Sequence, residues 1–280
     1  MGGGAGESAA PPPMALVFGP PGGGLEEVRM GLEMGGIAVT SWDSTRPWDG
    51  RQTVEEEADS GRWPLLVRVE ARLETCLAGI AGEGGGLSLT EAVSLIETCR
   101  QRQHGLRIRS RIVLDGSGPN QFRLRRQARE LAGAGLGSKP GPIVVLQSFA
   151  YPNGVPSDLD WCFDARTLAN PYWVEELRPM SGLFPQVRRF VLDQAQTAPL
   201  LLDLERVVLG RLPLWAAQGR QLVRVGIGCT GGFHRSVALT EEFWRRLCQH
   251  GITALRWHRE LPDEGNPGLA ADESTLAAPS

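Results

Sequence analysis

The sequence predicts an α/β protein of two modules, and three observations predict it. Short apolar runs alternate with helix-length amphipathic stretches through most of the 280 residues. A strand, a glycine turn and a helix open the first module at 14–34. A second strand, a glycine-rich loop and a helix follow at 222–250 in a smaller second module, and that loop has the composition of a phosphate-binding turn. The length suits two ordinary domains. Composition places them at 14–139 and 140–264, between tails at 1–13 and 265–280 that are rich in Gly, Pro, Ala and Ser.

Met14-Ala-Leu-Val-Phe18 reads as a short buried strand. Gly19-Pro-Pro-Gly-Gly-Gly24 then turns into a helix over 25–34, closed by Gly35 and Gly36, and a second strand follows at 37–39. The spacing Gly19-x4-Gly24 is the glycine frame of a phosphate-cradling P-loop, with Gly19, Gly22, Gly23 and Gly24 as its candidate contacts. The side-chain chemistry of that motif is missing. Where it places Lys on the phosphates and Ser or Thr on magnesium, this chain has Leu25 and Glu26. Leu25 supplies no charge and Glu26 would point a carboxylate at the phosphates, so only backbone amides and the helix dipole attract an anion. The expectation is weak binding of ATP or GTP at most, no phosphoryl transfer and no required cofactor. Strands at 65–73 and 109–114 and helices at 89–102 and 121–132 complete the module. A linker at 133–142 carries Lys139, the only lysine.

In the second module the clearest strand is Ile143-Val-Val-Leu-Gln-Ser-Phe149, followed by a turn at 151–156 and a strand at 161–164. Asp164-Ala-Arg166 would project at the carboxyl end of that strand, where α/β sheets place ligand contacts. Asn170-Pro-Tyr-Trp173 and Leu177-Arg-Pro-Met-Ser-Gly182 are loop segments dense in ligand-contacting side chains. A helix started by Pro185, a longer one from Pro199, a strand at 222–227, a helix at 236–250 stopped by Gly251 and a last strand at 253–258 follow.

Composition excludes several classes. The chain is 41% hydrophobic and 22% charged, ordinary for a packed globular protein. No apolar run approaches the roughly 20 residues that cross a bilayer, and the start lacks the basic and apolar segments of a secretory signal, so no membrane role and a cytoplasmic setting are expected. Five cysteines form no CxxC pair and make an odd number, against a zinc cage or a disulfide framework. A net charge of −3 gives no global attraction to nucleic acid. A local exception is the stretch 100–129, where nine arginines could form either an electropositive stripe or a solvated helix face.

The loop Gly228-Cys-Thr-Gly-Gly-Phe-His-Arg-Ser236 carries the site. Small residues let backbone amides converge without Cβ interference, and the following helix aims its amino terminus at the same point. Arg235 adds a fork that matches a phosphate, and His234 adds a donor when protonated. Cys229 lies just ahead of these positive features, which favour its thiolate. Candidate ligand contacts are Cys229, Thr230, Gly231, Gly232, His234, Arg235 and Ser236, with Tyr172 and Arg178. Cys229 and Arg235 also satisfy C-x5-R, so a cysteine-dependent phosphatase is the alternative. In it Cys229 attacks phosphorus, Arg235 holds the equatorial oxygens and Asp164 or Asp160 protonates the leaving oxygen. Gly228 stands where those enzymes carry His.

The blocks Ser148-Phe-x-Tyr-x-x-Gly-Val-Pro156, Phe163-Asp-x-Arg166, Asn170-Pro-Tyr-Trp173, Leu177-Arg-Pro-x-x-Gly182 and Gly228-Cys-Thr-Gly-Gly-x-His-Arg-Ser236 occur in order, and together they resemble the RapZ/YvcJ family of bacterial P-loop proteins. The resemblance implies a degenerate P-loop kinase-like amino-terminal domain and a carboxy-terminal domain that binds an amino-sugar phosphate such as glucosamine-6-phosphate. It further implies a regulatory rather than enzymatic role and an RNA or protein partner, with the first half kept as a scaffold or as the dimer partner of a homo-oligomer. Two positions depart from the family: Tyr172 stands where some members have His, and Phe233 where many have Lys or Gln. In the first half Glu70-Ala-Arg-Leu73 keeps only the arginine of a second nucleotide-associated block.

Overall fold

The computed structural model describes residues 14–41, 65–82, 87–104, 111–116, 122–136 and 141–262. Both expected tails lie outside them, as does the segment 137–140 with Lys139. Two four-stranded sheets, each entirely parallel, organise the chain. The first has the order β2-β1-β3-β4, from β1 (Met14–Phe18), β2 (Ala38–Ser41), β3 (Leu65–Glu70) and β4 (Arg111–Asp115). The second has the order β6-β7-β5-β8, from β5 (Ile143–Ala150), β6 (Trp161–Asp164), β7 (Leu222–Cys229) and β8 (Ala254–His258). Continuous burial of all eight β5 side chains marks a strand covered on both faces, as parallel sheets require.

The helices are α1 (Leu25–Met34), α2 (Leu73–Gly82), α3 (Leu89–His104), α4 (Phe122–Gly133), α5 (Pro185–Leu192), α6 (Thr197–Ala217) and α7 (Arg235–Gln249). Most lie within two residues of the sequence expectation. One is a correction: the stretch 65–73 is not a single strand but β3 followed by α2. Leu73, Cys76, Leu77 and Ile80 repeat at helical spacing, and with Ala71, Ala92 and Ile96 they form a small cluster of their own.

The halves share a core. One face of the second sheet packs with α5, α6 and α7, while Ile143, Val145, Leu255 and Trp257 from its other face join Val17, Val67, Leu124 and Leu131 of the first half. Helix α4 is the shared piece. Gly31 and Gly35 let α1 close on it, since a Cβ on Gly31 would meet Ala128 Cβ at 2.7 Å. Across the junction, Trp257 Nε1 donates to Glu130 at 2.7 Å, Arg123 donates to the Arg259 carbonyl, and Arg72 donates to the Asn153 carbonyl at 2.7 Å. Arg72 is the arginine kept from the nucleotide-associated block, and here it ties the halves together.

Of the nine arginines of the stripe, Arg100, Arg123, Arg125 and Arg126 have partners within the protein and Arg129 is exposed. Arg100 donates to the Ala71 carbonyl, Arg125 pairs with Glu27 at 2.7 Å and Arg126 lies 3.7 Å from Glu130. The side chains at 102, 107, 109 and 111 are outside the described residues. Among the described residues no helix is long and apolar enough to cross a membrane, and no group of His, Cys, Asp or Glu could hold a metal ion.

Candidate phosphate-binding cleft

Strand β7 lies between β5 and β6, and its carboxyl end delivers Cys229 into the turn that starts α7. Gly232 has φ +63, the left-handed region that favours glycine, and it turns its N–H back onto Cys229 Sγ at 3.1 Å. Cys229 Sγ also lies 3.1 Å from Ser236 Oγ, which closes the loop on itself. Among the described residues the Thr230 and Gly231 amides have no intramolecular hydrogen bond. Helix α7 begins at His234 without a side-chain cap, so its first-turn N–H groups keep the orphan character of a helix start. These amides are the local means of attracting an anion.

A cleft of about 460 Å³ opens over this turn. Its lining comes from two segments: Asn170, Tyr172, Trp173 and Arg178 from one, and Cys229, Thr230, Gly231, Phe233 and His234 from the other. The first segment is pinned by a short 3-10 turn over Pro171–Trp173, capped where Asn170 Oδ1 accepts the Tyr172 N–H at 3.3 Å. It reaches the loop because Gly182 has no side chain. A Cβ there would lie 2.6 Å from the Ala238 amide nitrogen, and the Gly182 N–H donates to the Phe233 carbonyl at 2.8 Å. Gly182 closes the Leu177-Arg-Pro-x-x-Gly182 block, and the structure supplies the spacing reason for it.

Six of the expected ligand contacts line the cleft: Cys229, Thr230, Gly231, His234, Tyr172 and Arg178. Gly232, Arg235 and Ser236 do not line it and serve as its support. Arg235, only 4% exposed, donates through Nη1 to the Leu168 and Arg166 carbonyls at 2.9 and 3.2 Å and through Nη2 to Thr230 Oγ1 at 3.2 Å. The fork expected to hold a phosphate is thus turned onto the main chain, and it fixes residues 166–168 beside the loop. Arg235→Ala is expected to cost about 1–3 kcal/mol of stability, because the buried Leu168 carbonyl and the partly buried Arg166 carbonyl lose their donor; urea unfolding reads this, and an unchanged midpoint would show that the carbonyls find other partners.

His234 is also corrected. Its Nε2 lies 3.1 Å from the Arg178 carbonyl, where it donates, and burial holds its pKa below the ordinary value, reinforced by the Arg235 charge. The ring is neutral at neutral pH and anchors the 170–178 segment instead of adding a charged donor. Arg178 is the guanidinium left at the cleft. Its Nε donates to the Tyr172 carbonyl at 3.1 Å and its Cζ lies 5.1 Å from the Tyr172 ring centroid. No hydrogen bond among the described residues uses its Nη groups.

The phosphatase constellation is not assembled. Asp164 is chelated by Arg166, with Nε at 2.9 Å and Nη2 at 2.7 Å, and those hydrogen bonds hold its pKa below the ordinary carboxylate value. It stays ionised and has no proton to give. Asp160 precedes β6, whose register pairs Trp161 with Val225 and Asp164 with Gly228, so Asp160 sits toward the opposite end of the sheet from Cys229. There it accepts from the Arg224 amide at 2.9 Å and pairs with Arg220. A buried chain from Ser148 Oγ to His258 Nδ1 and from His258 Nε2 to Glu241, each 2.9 Å, has the members of a hydrolytic relay. With Ser148 and His258 both 0% exposed, it serves to lock β5, β8 and α7 together.

The glycine turn of the first half keeps the strand–turn–helix form. Gly22 and Gly24 have φ +68 and +89, and the Gly23 N–H donates to the Pro20 carbonyl at 3.1 Å. Glu26, however, does not face the turn. It is drawn along α1 to Arg29, with Arg29 Nε at 2.8 Å. Leu25 packs against the core that the two halves share.

Residues 142–262 match the family model described as the RapZ C-terminal domain. A nucleotide-binding protein of Corynebacterium jeikeium is 35% identical over 230 residues, which cover 80% of this chain and 78% of that protein. The chain belongs to the RapZ/YvcJ family. Two further relatives carry the same description: one from Cutibacterium acnes is 33% identical over 72% of this chain and 69% of its own length, and one from Geobacter metallireducens is 38% identical over 58% and 56%. Against the Geobacter protein the chain thus spans little more than half of the relative's length. The RapZ C-terminal match takes in every residue of the cleft, from Asn170 to His234.

Proposed function

We propose that this RapZ-family chain is a noncatalytic regulator whose cleft binds a phosphorylated small molecule. The occupied state alters contact with a protein or RNA partner, and a homo-oligomer is part of the same reading. The observation that carries the proposal is the lining of one cleft by Thr230 and Gly231, whose amides are unbonded, by His234, the uncapped start of α7, and by Arg178, whose Nη groups are open. Amino-sugar phosphates, glucosamine-6-phosphate first, are the class the family resemblance supplies. Nucleotide binding at Gly19, Gly22, Gly23 and Gly24 is weak or lost, because neither Leu25 nor Glu26 can hold a phosphate or magnesium.

Calorimetry with inorganic phosphate, glucosamine-6-phosphate, ATP and GTP tests the reading, using wild type and Arg178→Ala. Phosphate-bearing ligands are expected to bind wild type and to lose about tenfold or more in Arg178→Ala, the equivalent of one charge-assisted hydrogen bond. Arg178 is exposed, so the substitution leaves the fold in place. Equal affinity in the two proteins would remove Arg178 and this cleft from the assignment. ATP or GTP binding that survives the substitution would instead put a working site in the first half.

A further inference from the structure

The two cleft segments carry three aromatic side chains, Tyr172, Trp173 and Phe233. Trp173 is 76% exposed and Tyr172 45%, an expensive surface to leave in water beside a binding turn. Their rings meet edge to face with centroids 5.3 Å apart and Arg178 lies over the Tyr172 ring, which leaves Trp173 the most exposed of the three. Two polar groups of the lining are drawn into the loops themselves: Asn170 Oδ1 accepts the Tyr172 N–H, and His234 Nε2 donates to the Arg178 carbonyl. No Asp or Glu lines the cleft, so the ammonium of an amino sugar would find no counter-charge there. A phosphate on the loop fills only one end of a cleft whose volume suits a larger organic ligand.

We infer that the ligand of this cleft joins its phosphate to a flat unsaturated ring, as a nucleoside monophosphate does. Phosphate sits on the Thr230 and Gly231 amides and Arg178, and the base lies against the aromatic side chains. The inference rests on the phosphate-site reading above and puts a ring-bearing phosphate in place of the amino-sugar phosphate. It also places nucleotide recognition in the second half, away from the glycine turn at 19–24. Base stacking on an aromatic ring tolerates any base, so the site selects the class before it selects the base.

The test is calorimetry on the full chain with UMP, AMP, glucosamine-6-phosphate and inorganic phosphate, using wild type, Trp173→Ala and Phe233→Lys. Wild type is expected to hold the two nucleotides at least about fivefold more tightly than glucosamine-6-phosphate, and Trp173→Ala to erase most of that margin. Phe233→Lys, which exchanges ring surface for charge, should keep phosphate binding while narrowing the same margin. Glucosamine-6-phosphate binding as well as or better than the nucleotides overturns the ring assignment and leaves the phosphate site standing. Nucleotide binding indifferent to Trp173→Ala overturns it too, since the nucleotide then sits elsewhere. Silence from all four compounds, phosphate included, would remove both readings.

Discussion

Replacing Arg224 by leucine is expected to destabilise the protein by about 3–5 kcal/mol, the cost of leaving one member of a buried ion pair behind. Arg224 sits in the middle of β7, where Val223, Val225 and Ile227 alternate into the core beneath α5, α6 and α7. Its own side chain therefore emerges on the other face. There Nη1 lies 3.0 Å from Asp158 Oδ2, with the two side chains 4% and 1% exposed, and the guanidinium lies 4.8 Å from the Trp257 ring centroid. The attraction is ionic: neither Asp158 oxygen completes a hydrogen bond by geometry. Leucine would fill much of the space and strand the Asp158 carboxylate. Urea unfolding measures the loss, and the double variant Arg224→Leu, Asp158→Leu should recover most of it. A single variant as stable as wild type would show that water already reaches the pair.

The same pair sets a pH dependence. Burial pushes the Asp158 pKa up to about 6 from 3.8, Asp115 adds to the rise, and Arg224 opposes it. A carboxyl whose folded pKa is raised contributes stability that is fully present below its unfolded value and is lost as pH rises through the folded one. Asp158 therefore weakens the fold as pH climbs from about 4 to about 6. Relative to wild type, Asp158→Asn should flatten stability across that window.

Gly232→Ala is expected to cost about 2–5 kcal/mol and to abolish phosphate binding with it. The left-handed conformation at φ +63 costs a non-glycine residue about 1–2 kcal/mol. An added Cβ would also lie 2.8 Å from the Ala150 amide nitrogen and 3.0 Å from the Phe149 carbonyl carbon, crowding worth roughly 1–3 kcal/mol more. Both neighbours are backbone at the end of β5, so the loop has to move, and with it the Gly232 N–H that reaches Cys229. Gly231→Ala is the control: no atom lies within 4 Å of its added Cβ, and its stability should stay within about 0.5 kcal/mol of wild type. Equal costs at the two positions would mean that composition, not geometry, makes this loop glycine-rich.

Much of the second half was legible because its signals are local. The largely apolar run 143–150, Gly251 after α7, Pro185 at the start of α5 and the crowded small residues of the loop act within a few positions of themselves. The first half was less legible. The run 65–73 alternates apolar residues with Arg68, Glu70 and Arg72 and so reads as one strand, and packing against Ala92 and Ile96 marks where α2 begins.

The sequence by itself determined the α/β class, the order of nearly all the elements, the family and the glycine-rich loop over which the cleft opens. Those rest on backbone periodicity and turn chemistry, which neighbouring residues impose on one another. The tertiary structure alone decided which donors remain for a ligand. Arg235 is spent on a carbonyl 67 residues away and His234 on one 56 residues away, while Arg178 keeps its Nη groups. A side chain's chemistry is written at its own position, but whether that chemistry is already satisfied depends on distant segments that only folding brings alongside.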